Sequence, residues 1–114
     1  MTPQFWIEES QDSDGALRLT LFGELDLTVA GELESRLGEL KAEEATVRLD
    51  LSELSFIDSS GIRVVTRARL NSSPAQWTVE IDPHVSPVVK RPLELLGLGD
   101  VLWSKTPDQS RVQP

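Results

Sequence analysis

The sequence predicts a single α/β domain: a small mixed or mostly parallel sheet of four to five strands, with three to four helices mainly on one face. Two observations carry that prediction. Stretches with a period of two alternate along the chain with stretches whose apolar residues recur at helical spacing. The strand-like stretches are also apolar on one side only, whereas strands covered on both faces read as continuous apolar runs.

Residues 5–9 form a weak first strand, and the polar stretch 10–15 turns the chain. In the second strand Leu17, Leu19 and Leu21 alternate with Arg18, Thr20 and Phe22, and Gly23-Glu24-Leu25-Asp26 is read as breaking it. Val29, Leu33, Leu37 and Leu40 then recur at helical spacing, with Asp26 or Thr28 as the N-cap. Gly31 and Gly38 each weaken that helix by about 1 kcal/mol relative to Ala, so its apolar stripe has to be held by packing.

Val47, Leu49 and Leu51 face one way in the third strand and Arg48 and Asp50 the other, and the run continues to Ile57. A helix over 60–70 places Ile62, Val65 and Ala68 on one face, and Asn71-Ser72-Ser73-Pro74 ends it. Trp77, Val79 and Ile81 alternate with Thr78, Glu80 and Asp82 as a fourth strand. Ser86-Pro87 opens another helix, with serine as cap and proline in the first turn. Val88, Val89, Leu93 and Leu96 are expected on its buried side, and Gly97 ends it. Val101-Leu102-Trp103 closes the core. The domain is expected over 1–104, with 105–114 as a polar tail.

Composition removes several classes of function. The 114 residues carry 11 basic and 19 acidic side chains, a net charge of −8. The average field therefore repels nucleic acid and anionic membrane surfaces, and direct binding to nucleic acid is not expected. There is no cysteine, which excludes disulfides, thiolate metal sites and thiol catalysis. The first residues lack a basic n-region and an apolar h-region, so no signal peptide is expected. No apolar run is long enough to cross a bilayer. A soluble, cytoplasmic domain without membrane insertion is the expectation. No paired histidines, phosphate-cradling glycine loop or metal cluster argues for an enzyme, and no cofactor or metal is expected. Asp58 beside Ser59 lacks the ordered base that a nucleophilic pair requires.

The informative stretch is 49–62, where a strand runs into the polar step Asp58-Ser59-Ser60-Gly61 and then a helix. This sets a carboxylate and two hydroxyls at a helix N-terminus, where backbone N–H groups lack intrahelical partners. Ser59 is there either an N-cap or a switch, and Asp58 either a cap or a partner contact.

The 49–62 stretch resembles the STAS domain of bacterial anti-sigma factor antagonists. Leu21-Phe22-Gly23-Glu24-Leu25-Asp26 is similar to that family's strand end, and Val85-Ser86-Pro87-Val88-Val89-Lys90-Arg91 with Leu95-Leu96-Gly97-Leu98 to its late helix and turn. The three blocks lie in family order over about 17–103. The resemblance implies that Ser59 is phosphorylated by a partner anti-sigma factor with serine kinase activity. It implies that the unmodified domain binds that factor and frees a sigma factor, and that a phosphatase reverses the modification. Asp58, Ser59, Ser60 and Gly61, with Glu24, Leu25 and Asp26 on the neighbouring strand end, form the implied docking surface. The alternative that the family allows is an accessory subunit of a lipid-transport or other membrane complex.

The chain departs from the family directly after this step. Where small or aliphatic residues are usual, it has Ile62-Arg63-Val64-Val65-Thr66-Arg67. Arg63 follows Ser59 by four residues and Arg67 follows Arg63 by four, so the three share one helix face. The ridge either pairs with a phosphate on Ser59 or an acidic partner and sets partner choice, or is a solvated face. His84, the one histidine, is read as loop structure, Lys90 and Arg91 as a solvated face, and Trp77 and Trp103 as core.

Overall fold

The computed structural model describes residues 4–73 and 75–103. The expected tail and the Pro74 stop lie outside the described residues. In chain order the elements are β1 (Phe5–Gln11), β2 (Leu17–Leu25), α1 (Leu27–Ala42), β3 (Thr46–Ile57), α2 (Ser59–Leu70), β4 (Thr78–Ile81), α3 (Pro87–Leu95) and α4 (Gly99–Trp103). The strands lie side by side in the order β1-β2-β3-β4. β1 runs antiparallel to β2, while β2, β3 and β4 are parallel, so the sheet is mixed as expected.

One face of this sheet is the core. Leu19, Leu21 and Leu25 of β2, Val47, Leu49 and Leu51 of β3 and Val79 of β4 are fully or almost fully buried. They join Leu33, Leu37 and Leu40 of α1, Ile62, Val65 and Ala68 of α2, and Val89 and Leu93 of α3 in one cluster. Each such aliphatic side chain contributes roughly 1.5–3 kcal/mol by leaving water, which offsets the glycine cost in α1. Trp77 is buried at the core edge, as expected, and Trp103 is half-buried against it.

The opposite face carries a network of ions at one end. Arg18 reaches Asp12 (3.0 Å), Asp50 (2.8 Å) and Asp82 (3.0 Å). Arg48 reaches Asp12, Asp14 (2.8 Å) and Glu80 (2.8 Å). The hydrogen bonds from Arg18, then Arg48, hold the Asp12 carboxyl below the usual carboxylate range. The Arg48 guanidinium and the Ala16 N–H lower Asp14 to about 2. Towards the other end of this face Trp6 stacks on Phe22, with ring centroids 4.9 Å apart.

Two expectations are corrected here. Gly23-Glu24-Leu25 does not break β2, which continues to Leu25 in register with Ile57. The continuation is absorbed by β3, which carries an extra residue between the partners of Thr20 and Phe22 and another between those of Gly23 and Glu24. On α3, Val88 and Leu96 are exposed, at 53% and 61%. This nine-residue helix rests on β3 through one narrow stripe, Val89 and Leu93, which a four-residue spacing already fills. Ser86 occupies the N-cap position, but its hydroxyl donates to the Leu54 carbonyl (2.9 Å) and not to its own helix. Gly97 does end α3: at φ 71° its N–H reaches Glu94 O and the Leu98 N–H reaches Leu93 O, a Schellman closure.

Candidate functional site

The parallel strands β2 and β3 finish at the same edge of the sheet, Leu25 beside Ile57, and each turns at once into a helix. The N-termini of α1 and α2 are thereby brought together at the carboxyl ends of the strands, where open α/β sheets form their sites. Asp26 and Asp58 are the two N-caps. Asp26 Oδ1 accepts from the Thr28 N–H (3.0 Å) and the Thr28 hydroxyl (2.6 Å). That hydroxyl, with the backbone N–H groups, holds the Asp26 carboxyl low. Asp58 Oδ1 accepts from the N–H groups of Ser60 (2.9 Å) and Gly61 (3.1 Å). Its Oδ2 crosses to the other helix and accepts from the Leu27 N–H (3.1 Å). The Asp58 N–H closes the junction by donating to Leu25 O (3.2 Å).

Gly61 is what allows α2 to sit this close. A Cβ there would lie 2.6 Å from Leu25 Cγ, 2.8 Å from Leu25 O and 2.9 Å from Ile57 Cγ1. Leu25 and Gly61 are buried, so their side-chain positions belong to the support of the site and not to its surface. Glu24, Asp26, Asp58 and Ser60 are half-buried.

Ser59 is the first residue of α2 and is exposed. Because Asp58 is the cap, the Ser59 hydroxyl is not one, and among the described residues it forms no hydrogen bond. Arg63 and Arg67 follow on the same helix, both exposed. Among the described residues neither is in an ion pair, unlike Arg18, Arg36 and Arg48, each of which has at least two carboxylate partners. Arg67 also lines a cleft of about 240 Å³ between α1 and α2, with Glu34, Leu37, Lys41 and Trp77.

Two apolar residues beside this junction are not among the expected docking residues. Leu27, at the first position of α1, is 73% exposed, and Phe56, near the end of β3, is 45% exposed. Leu27 stands outside the stripe of Val29, Leu33, Leu37 and Leu40, which is the one signal by which it could be found. His84 lies in the loop before α3, its N–H and ring turned to Asp82, as expected. Lys90 and Arg91 are exposed on α3. Among the described residues no group of side chains has the makings of a metal site, and no helix is long and apolar enough to cross a membrane.

An open mixed sheet with a capped Asp-Ser-Ser-Gly junction at its carboxyl edge defines a regulatory STAS module, and comparison with known proteins agrees. A family model described as "Mlab, STAS domain" matches residues 9–104. The chain belongs to the STAS domain family and, within it, to the anti-sigma factor antagonists. It is 32% identical over 90 residues to the anti-sigma-F factor antagonist RsfB of Mycobacterium tuberculosis, covering 76% of this chain and 70% of that one. In structure it resembles an anti-sigma factor antagonist from Mycobacterium paratuberculosis, with a TM-score of 0.71 at 24% identity over 94% of this chain and 89% of the other. It also resembles the antagonist SpoIIAA in its unphosphorylated form, with a TM-score of 0.69 at 23% identity over 94% of this chain and 93% of the other.

Proposed function

We propose that the unmodified protein docks on an anti-sigma factor through the surface around Ser59, so that a sigma factor is released, and that phosphorylation of Ser59 ends the docking. The observation that carries this reading is the state of Ser59: an exposed hydroxyl at the head of α2 that the fold does not use, because Asp58 has taken over the capping. The residue can therefore gain a phosphate without costing the helix its cap. A phosphate adds about −1.5 to −2 charge and considerable bulk, enough to repel a partner fitted to a neutral hydroxyl. That SpoIIAA, similar to this chain in fold, occurs in an unphosphorylated and a phosphorylated form supports the same reading.

The kinase belongs to the partner, which brings ATP and magnesium. The γ-phosphoryl group passes to the Ser59 oxygen, the hydroxyl proton is lost and ADP leaves. A phosphatase returns the hydroxyl by hydrolysis. Asp58, Ser59 and Ser60, with Glu24 and Asp26 on the adjoining strand end, form the docking surface, and Arg63 and Arg67 extend it along α2 and set partner choice. The protein is then a cytoplasmic binding module rather than an enzyme. The alternative of an accessory subunit in a membrane complex has weaker support, since the relatives described above are antagonists.

The test is incubation with an ATP-dependent anti-sigma factor kinase, followed by peptide mapping. One added phosphate on Ser59, absent from Ser59→Ala, and loss of binding on modification are expected. Modification elsewhere, or binding that survives phosphorylation, would overturn the reading.

A further inference from the structure

We propose that a phosphate on Ser59 is held by Arg63, one turn further along α2, and not by the helix N-terminus. The inference rests on the phosphorylation reading above and gives the phosphate its partner within this chain. A phosphate at the head of a helix ordinarily finds backbone N–H groups, but here those that follow Ser59 are spoken for. Asp58 takes those of Ser60, Gly61 and Leu27 through its side chain, and that of Ile62 through its carbonyl. On the neighbouring helix Asp26 holds those of Thr28, Val29 and Ala30. What remains at this end is a pair of carboxylates, the caps Asp26 and Asp58. A dianion is repelled from that side.

The opposite direction offers a cation. Arg63 is four residues on, about 6 Å along the helix axis and on the same face. It is exposed and, among the described residues, free of ion pairs. α2 contains no acidic residue to compete for it. In a chain with 19 acidic side chains against 11 basic ones, an arginine left uncommitted beside Ser59 is the side chain a new anion recruits. Its guanidinium fork suits phosphate oxygens. Arg67 is about 12 Å from Ser59 along the axis and too distant to share the role. Phosphorylation thus acts twice, adding charge at Ser59 and withdrawing Arg63 from the docking surface.

Phosphoserine encoded at position 59 during translation provides the test, with the phosphate followed by ³¹P NMR across its second ionisation. Replacing Arg63 by Gln is expected to raise that pKa by about half a unit, and Arg67→Gln to move it by clearly less. A shift for Arg63→Gln no larger than that for Arg67→Gln overturns the clamp. Since no kinase is used, that result leaves the Ser59 reading standing, whereas failure of a kinase to modify Ser59 removes that reading and not the clamp.

Discussion

The side chain of Asp58 and the backbone of Leu27, 31 residues apart in sequence, are joined by a 3.1 Å hydrogen bond that ties the start of α1 to the start of α2. One carboxylate thus satisfies orphan N–H groups on two helices at once. Loss of an ordinary N-cap costs about 0.5–2 kcal/mol, and Asp58→Ala removes a cap together with the bond to the exposed Leu27 N–H, which water can replace. We expect a loss of about 1–2 kcal/mol in denaturant unfolding. Asp58→Asn keeps an oxygen for Ser60 and Gly61 but turns an NH₂ towards the Leu27 N–H, so it falls between the two. Faster hydrogen exchange at Leu27 in Asp58→Asn, with Ser60 and Gly61 unchanged, identifies the crossing bond as the one lost.

Glycines on the two helices are expected to respond with opposite sign. Gly61→Ala forces a methyl to within 2.6–2.9 Å of Leu25 and Ile57, and overpacking of this kind costs roughly 1–3 kcal/mol. At Gly31 and Gly38 a Cβ meets nothing within 4 Å, so alanine there gains up to about 1 kcal/mol from helix propensity. Thermal melts of the three variants give the ranking; a Gly61→Ala protein as stable as the parent would contradict the close approach.

These two sites mark how far the sequence could be read. The alternation of leucines and valines placed β2, β3 and β4 and their buried faces, because a period of two is a local property. The Asp-Ser-Ser-Gly step and the Arg63–Arg67 ridge were legible for the same reason. The crossing bond to Leu27 was not, since its partners lie far apart in sequence. Nor was the network on the outer face, where Arg18 meets Asp50 and Asp82, 32 and 64 residues away. Arg18 and Arg48 read only as the polar half of their strands. The buried stripe of α3 is narrower than its apolar residues suggest, because Val88 and Leu96 are apolar yet exposed.

That outer network makes stability depend on acid. Hydrogen bonds from Arg18 and Arg48 to Asp12, and from Arg48 and the Ala16 N–H to Asp14, lower both folded-state pKa values, in Asp14 from 3.8 to about 2. Burial raises the Asp82 carboxyl, but the His84 and Arg18 hydrogen bonds outweigh it and its shift is also downward. Carboxylates with depressed folded-state values bind fewer protons folded than unfolded, so their contribution is complete above the unfolded value and fades as pH falls towards about 2. Unfolding midpoints measured down through this window should therefore drop. In Arg48→Gln the drop should be shallower, from a less stable starting point; an unchanged acid profile would remove the network from the account.

Leu27 presents most of its side chain to water at the head of α1, so the fold gains little from it. Leu27→Ser should shift stability by less than about 0.5 kcal/mol, as surface substitutions do. Burying a leucine in a partner is worth roughly 1.5–3 kcal/mol, equal to at least a tenfold change in affinity. Titration calorimetry against the anti-sigma factor, with a melt as control, separates the two effects. A variant that binds as well as the parent places Leu27 outside the interface.

Ser59→Asp tests whether charge at this position acts on the fold or on the interface. At the first helical position a carboxylate gains about 0.3–1 kcal/mol from the positive end of the dipole. It lies beside Asp58, which opposes that gain, and one turn before Arg63, which supports it by about 0.2–0.5 kcal/mol. These contributions nearly cancel, and the capping bonds from Ser60 and Gly61 to Asp58 involve no atom of the Ser59 side chain. The melting temperature should therefore stay within about 4 °C of the parent, while binding to the anti-sigma factor is lost. A large fall in melting temperature would mean that charge at position 59 unravels the α1–α2 junction, and the switch would then be a local unfolding of the site instead of a change at its surface.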